Sequence, residues 1–262
     1  MLYKRVLSAV AGIPLFLLAV WYGGWVHFAL TVLIMVFALY ELNKIFTGMD
    51  LKPSFPVMVS GVLILSASAY AGGNGALGLA FVPVIGILLL SGVFRYPDVR
   101  PVDVAAGLTG TLYIGMFVYF YLVRTLEGGW VWTLTMLVGT WAGDTAAYFV
   151  GRKMGRKKLA PKLSPGKTVE GAIGGIAGSV LGALLIYMVY PWYLFYKFIA
   201  LGVLVGVSGI LGDLFESSLK RTAGVKDAGL IIPGHGGVLD RFDSMLFTAP
   251  TVYYFVVLFI VG

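Results

Sequence analysis

The acidic residues of this chain are few, and several have the spacing of a metal site. Only 12 of the 262 residues are Asp or Glu. Asp213 and Glu216 are three residues apart, as are Asp240 and Asp243, so each pair can share one helix face. Asp144 lies within a long apolar stretch, where a carboxylate is costly and tends to mark function. A helix cap or a salt bridge is the ordinary alternative for any one of these acids.

Carboxylate oxygens suit a hard cation, and Mg²⁺ commonly takes one or two of them with substrate phosphate and water. The sequence therefore predicts a Mg²⁺ site that leaves room for a second cation. Asp213 and Asp240 are the predicted ligands, and Asp243 and Asp144 are further ligands or partners that orient them. The chain has no Cys and only two His residues, so disulfides and a zinc cluster are not expected.

A second chemical group is the basic segment 152–170, which holds seven Lys and Arg residues and leads into a predicted helix near Thr168. Such a segment can bind phosphates through its cations and through the free N–H groups of a helix N-terminus. Gly166-Lys167-Thr168 resembles the end of a P-loop, but Pro161 stands where the first Gly of that pattern would fall and no strand precedes it. Contact with acidic lipids is the alternative for residues 152–158.

The rest of the chain predicts the elements that position these groups. It is 59% hydrophobic and 12% charged. Each long apolar stretch must be a helix in lipid, because the backbone N–H and C=O groups there have to hydrogen-bond to one another. We predict an all-α integral membrane protein, a polytopic bundle of about nine transmembrane helices. Helices 1 to 5 would occupy residues 1–126, and helices 6 to 9, with the chemical motifs, residues 127–262 of one continuous membrane unit. The predicted spans are 6–21, 25–42, 55–71, 76–93, 104–123, 130–150, 171–190, 198–215 and 245–261.

The basic residues predict the orientation of these spans. With a cytoplasmic N-terminus, all 19 Lys and Arg residues except Arg124 and Lys197 fall on the cytoplasmic side, as the positive-inside rule requires. The C-terminus would then lie outside a cell (inner) membrane, and the acids would face the cytoplasm. Membrane lipids account for the net charge of +7, so nucleic acid is not an expected partner.

The run Ser218 to Asp243, SLKRTAGVKDAGLIIPGHGGVLDRFD, resembles the C-terminal signature of the CDP-diacylglycerol synthase (phosphatidate cytidylyltransferase) family. SPGKTVEG is similar to a second motif of that family, from which this chain departs at Gly166 and Val169. The resemblance implies transfer of CMP from CTP to phosphatidate, giving CDP-diacylglycerol and pyrophosphate in phospholipid biosynthesis. It also implies a divalent cation and a homodimer.

The residues and the resemblance together give a predicted site. The predicted catalytic residues are Lys167, Asp213, Lys220, Arg221, Asp240 and Asp243. The predicted substrate-binding residues are Lys167, Thr168, Glu170, Lys226, Asp227, His235, Gly236, Gly237 and Arg241. The cations among them are candidates for phosphate contact, and the glycine pair would let the backbone approach a ligand closely.

The chemistry of such a site needs no covalent intermediate with the enzyme. A phosphate monoester has a second pKa of about 6, so the phosphate of phosphatidate can itself attack the α-phosphorus of CTP in line. His235 is the one residue that could act as a nucleophile instead. Three alternatives stay open: a cytidylyltransferase for an isoprenoid ether-lipid phosphate, a cation transporter, and a structural lipid-binding scaffold.

Overall fold

The computed structural model describes residues 2–191, 193–232, 234 and 236–261, with side chains at residue 10 and from residue 12 onward. His235 therefore lies outside the described residues. Helices make up most of the fold, so the predicted all-α membrane architecture is confirmed. The helices are α1 (Leu2–Tyr22), α2 (Gly24–Gly48), α3 (Phe55–Phe94), α4 (Pro101–Gly115), α5 (Val118–Thr125), α6 (Gly129–Met154), α7 (Val169–Val189), α8 (Phe195–Thr222) and α9 (Leu239–Val256), and a π-helical turn (Val257–Val261) follows.

Six helical segments within the described part of the chain are long and apolar enough to cross a membrane. One of them, α3, is 40 residues long and is interrupted at Gly72 and Gly73. Gly73 has a φ of 63°, which a residue without a Cβ adopts at little cost, and the interruption falls at the predicted connection between the third and fourth spans. Apolar side chains on α3 point outward, with Leu79 79% exposed. Neither α1 nor α6 is among the six, so the count of nine crossings stays a prediction.

The first compact unit comprises Met1–Leu122 and Leu219–Phe242. Large side chains such as Leu39 and Phe120 are fully buried in it. Asp103, 1% exposed, accepts hydrogen bonds from the backbone N–H of Lys52 (2.8 Å) and from Nε of Arg100 (2.9 Å). This carboxylate therefore ties the connection before α3 to the start of α4. The sequence placed residues 219–242 with the second part of the chain, and that division stays a prediction.

The second compact unit comprises Val123–Ser218 and Asp243–Gly262. Its α6 and α7 lie so close that a Cβ on Gly178 would come within 2.5 Å of the Cβ of Ala146, and one on Gly182 within 2.9 Å of the Val138 carbonyl oxygen. Small residues permit such an approach in lipid, where helices gain little from apolar burial and associate through packing. The glycine spacing on α7 thus has the packing role that the sequence predicts.

The basic segment between α6 and α7 contains two strands, which the sequence did not predict. Helix α6 continues to Met154 and includes Arg152 and Lys153 in its last turn. Strands β1 (Lys158–Ala160) and β2 (Ser164–Thr168) then pair antiparallel, with Ala160 opposite Ser164. These strands are short and polar, so no apolar alternation in the sequence indicates them.

Candidate metal centre and phosphate-binding cavity

Three carboxylates meet in the second unit. Asp213 and Glu216 lie one turn apart on α8, and Asp243 lies near the start of α9. One oxygen of each is within 4.8 Å of one oxygen of each of the others, and Glu216 is fully buried. The i, i+3 spacing on α8 puts its two acids on one face, so the sequence fixes that pair locally and the packing of α9 adds the third member.

Glycine on α8 allows α9 to come this close. A Cβ on Gly212 would lie 2.5 Å from the carbonyl oxygen of Asp243 and 3.1 Å from the Cα of Ser244. One turn earlier, a Cβ on Gly209 would meet Ser244 and Thr248 at 3.7 Å. Any larger residue at position 212 would therefore push Asp243 away from the two acids of α8.

The donor set of this group fits a hard divalent cation. Three anionic carboxylates this close repel one another, and burial makes that repulsion stronger because it removes screening water. Ser217 Oγ donates to Oδ1 of Asp213 at 3.3 Å, and the Ser244 N–H donates to Oδ1 of Asp243 at 2.7 Å. Carboxylate oxygens are ligands that Mg²⁺ prefers, commonly one or two of them with water or phosphate filling the rest of its shell.

Lys167 lies beside this group. Its Nζ is 2.5 Å from Oδ2 of Asp213, and the two side chains are 25% and 35% exposed. Both line a cavity of about 580 Å³. Asp144, Tyr148 and Arg152 of α6 contribute to the same cavity, with Nη1 of Arg152 donating a hydrogen bond to the Tyr148 hydroxyl at 2.9 Å. The cavity therefore brings two cations, Lys167 and Arg152, together with Asp213 of the group of three carboxylates.

The hairpin that carries Lys167 is held in place by its two predicted neighbours. Thr168 is the N-cap of α7, and its Oγ1 accepts a hydrogen bond from the Gly171 N–H at 3.0 Å, as a Thr cap does. Glu170 accepts from the N–H groups of Arg156 (3.0 Å) and Lys157 (3.2 Å). Thr168 and Glu170 thus bind backbone and position the hairpin, which leaves Lys167 as the member of this motif that reaches the carboxylates.

Asp240 has different surroundings, in the first unit. Its Oδ1 is 2.7 Å from Nζ of Lys220, and these two side chains are 7% and 12% exposed. Its Oδ2 accepts from the N–H groups of Ala228 (3.0 Å) and Gly237 (2.9 Å). Among the residues that the structure describes, the group of three carboxylates does not include Asp240. Through these contacts Asp240 fixes the segment that precedes α9.

The other predicted residues of the signature are four exposed residues of the first unit, the half-buried Gly236, the buried Gly237 and His235, which is not described. The exposed ones are Arg221, Lys226, Asp227 and Arg241. Nη1 of Arg221 donates to the Val225 carbonyl oxygen at 3.3 Å. Gly236 has a φ of 87°, which favours glycine, and its N-terminal neighbour His235 is not described. These cations remain predicted phosphate contacts.

Comparison with known proteins shows the family of this chain. A sequence model described as "Cytidylyltransferase family" matches residues 3–259. The chain belongs to the cytidylyltransferase family. A phosphatidate cytidylyltransferase of Synechocystis sp. is 35% identical, over 97% of this chain and 96% of the relative. Those of Bacillus subtilis and Staphylococcus aureus are 36% and 34% identical, over 98% and 94% of this chain and 98% and 95% of theirs. The resemblance inferred from the two motifs is thereby confirmed.

Two acids of this cytidylyltransferase were not among the predicted site residues. Glu216 shares the helix face of Asp213, and that spacing could have identified it as a ligand. Glu41 lies inside the predicted second span and is 1% exposed. The rule that drew attention to Asp144, a carboxylate within an apolar stretch, applies to Glu41 equally well.

Proposed function

We propose that this chain is a phosphatidate cytidylyltransferase, which transfers CMP from CTP to phosphatidate and releases pyrophosphate. The near full-length similarity to three proteins of that name supports the substrates. The structural observation that carries the proposal is the Lys167–Asp213 pair, which joins the group of three carboxylates to a cavity of about 580 Å³. Two polyanionic substrates need cations to meet, and catalysis of such transfer is mostly positioning and charge neutralisation.

Asp213, Glu216 and Asp243 are the proposed ligands of Mg²⁺, with Asp144 as an orienting partner or a ligand of a second cation. The ion, when bound, would neutralise charge that develops on the pyrophosphate. Lys167 is a compact point charge on a flexible stem, so its Nζ could turn from Asp213 to a substrate phosphate in the cavity that both residues line. Arg152, held by Tyr148 at the cavity, is a second candidate for phosphate contact.

The proposed reaction is one direct displacement. An oxygen of the phosphatidate phosphate forms a bond to the α-phosphorus of CTP while the bond from that phosphorus to the bridging oxygen of the β-phosphate breaks. Pyrophosphate leaves with the electron pair of the broken bond. Because the attacking phosphate is largely a dianion at neutral pH, with a second pKa of about 6, no protein base has to remove a proton. A cytidylyl-His235 intermediate is the alternative route.

The proposal includes an orientation and an assembly. We place the N-terminus and the active site at the cytoplasmic face of a cell (inner) membrane and the C-terminus outside, and expect a homodimer. The chain has no Cys, so single cysteines can test the orientation. Cysteines at Gly75, where a Cβ meets no atom within 4 Å, and at exposed Lys157 should react with impermeant reagents from opposite sides. Reaction of both from one side would refute this topology.

The activity is tested with purified protein, labelled CTP, Mg²⁺ and phosphatidate. Labelled CDP-diacylglycerol and pyrophosphate are the expected products, and the Asp213→Asn variant is the matched control. An isoprenoid ether-lipid phosphate should be a poorer acceptor than phosphatidate. A preference for the isoprenoid lipid would show that it, and not phosphatidate, is the substrate. Exchange of labelled pyrophosphate into CTP without any lipid would overturn the direct displacement and favour the His235 route.

A further inference from the structure

Glu41 is a buried acid far along the chain from the signature, and the reaction proposed above gives it no role. It lies on α2 among apolar neighbours and is 1% exposed. A carboxylate in a membrane-spanning helix is costly, so its surroundings should provide specific compensation.

That compensation comes from the start of α9, within the same unit. Oε2 of Glu41 accepts a hydrogen bond of 2.8 Å from the N–H of Leu239, 198 residues away in sequence. Leu239 is the first residue of α9. The first N–H groups of a helix have no partner inside the helix, and the helix dipole favours a negative charge there. Glu41 thus serves α9 as a cap supplied from another helix.

Two glycines of the signature make room for this carboxylate. A Cβ on Gly237 would lie 2.6 Å from Oε2 of Glu41, and a Cβ on Gly229 would overlap Oε1. A larger residue at either position would therefore have to displace the Glu41 carboxylate. This differs from the sequence interpretation of Gly237, which attributed its small size to the approach of a ligand.

Asp240 holds the same segment through other groups. It accepts from the N–H groups of Ala228 and Gly237 and pairs with Lys220. Two buried carboxylates, one on α2 and one on α9, thus bind N–H groups at both ends of residues 228–239. Leu239 begins α9, and Asp243 follows four residues later on the same helix.

We infer that Glu41 is a positioning residue of the transfer reaction, one that holds the first turn of α9, the helix that bears Asp243. This inference rests on the proposed function for its kinetic part. Its structural part, the hold on this turn, can be measured without activity.

The test compares Glu41→Ala with Leu39→Ala, a truncation of a fully buried residue on the same helix. Glu41→Ala should lower kcat by about 10- to 100-fold, the scale of a small misplacement of catalytic groups, and raise the Mg²⁺ concentration for half-maximal rate. Glu41→Gln keeps an acceptor oxygen and should recover most of this loss. If Glu41→Ala does not fold, Glu41→Asp, which draws the acceptor back by one methylene, takes its place.

Hydrogen exchange of the amides in residues 228–240 supplies the second measurement. Exchange should accelerate in Glu41→Ala and stay near wild type in Leu39→Ala. Unchanged exchange in Glu41→Ala, equal kcat losses in the two alanine variants, or a Glu41→Gln variant as slow as Glu41→Ala would each overturn the inference. A wild-type protein that makes no labelled lipid would instead refute the proposed function, while the exchange result would still report on the hold of Glu41.

Discussion

The two units of this chain each concentrate buried carboxylates, but they surround them differently. In the second unit, Asp213, Glu216 and Asp243 face one another within 4.8 Å. In the first unit, Asp240 faces Lys220 and two backbone N–H groups, and Glu41 faces the N–H of Leu239. Three crowded carboxylates carry more negative charge than the Lys167 ammonium beside Asp213 balances, whereas Asp240 and Glu41 each meet hydrogen-bond donors. The contrast separates acids suited to metal binding from acids suited to holding backbone.

The largest effect is expected for Asp213→Asn. This change keeps the size of the side chain and removes a charged ligand, so transfer should fall by about 10³-fold, the upper end for loss of one electrostatic group. The unfolding temperature in detergent without Mg²⁺ should not fall, because the relief of repulsion among the three acids outweighs loss of the partly exposed ion pair with Lys167. A rate near wild type at saturating Mg²⁺ would remove Asp213 from the metal centre.

Asp240→Asn should act mainly on stability. Loss of one member of a buried ion pair costs about 3–5 kcal/mol, and the new amide N–H₂ would face the N–H donors of Ala228 and Gly237. Thermal unfolding in detergent should therefore show a clear drop. Adding Lys220→Met, which removes the ammonium that faces position 240, should restore part of it. If Asp240→Asn instead unfolds like wild type and only weakens Mg²⁺ dependence, Asp240 belongs with the metal ligands.

Lys167→Met should slow transfer by about 10²-fold, because it removes the cation that joins the carboxylates to the cavity. The matched control neutralises exposed Lys157 and Lys158 together, for which we expect a change of about twofold or less, as is usual for solvated surface charges. Steady-state rates at varied CTP and phosphatidate measure both. Equal losses would mean that the hairpin acts only through its net charge.

The smallest effect is a rescue. Gly229→Ala should slow transfer because its Cβ overlaps the Glu41 carboxylate, and Glu41→Asp should relieve that overlap by shortening the acid. The double variant should therefore be faster than the two single losses multiplied together, a coupling that a double-mutant cycle measures. Simple multiplication would show that Gly229 and Glu41 do not interact in the working protein.

Hydropathy was enough to predict where the helices lie. The nine predicted spans fall on helical segments, and the Gly72–Gly75 connection coincides with the interruption of α3. The hairpin of residues 158–168 was not predicted, because strand pairing over so few polar residues depends on contacts such as that of Glu170 with the Arg156 N–H. Local sequence patterns therefore indicate where helices lie, but not where short polar strands pair.

The sequence predicted residues of the candidate site, but not which residues contact one another. Spacing along a helix says which acids share a face, and so it brought Asp213, Asp240 and Asp243 into consideration. It does not say what that face meets, and Asp240 meets a lysine and backbone N–H groups. The role of Glu41 depends on a contact 198 residues away in sequence, which no local pattern reports.

The close contact of α6 with α7 has a consequence for how this sequence can change over time. Along the inner stripe of α7, a Cβ at Gly178 or Gly182 would collide with α6, so added bulk there would separate the helices that bear the cavity wall. On the outer side, Ile173, Leu181 and Leu185 are 64%, 63% and 58% exposed. Lipid accepts one apolar side chain as readily as another, so neutral drift should accumulate at these three positions, while the inner stripe should admit almost none.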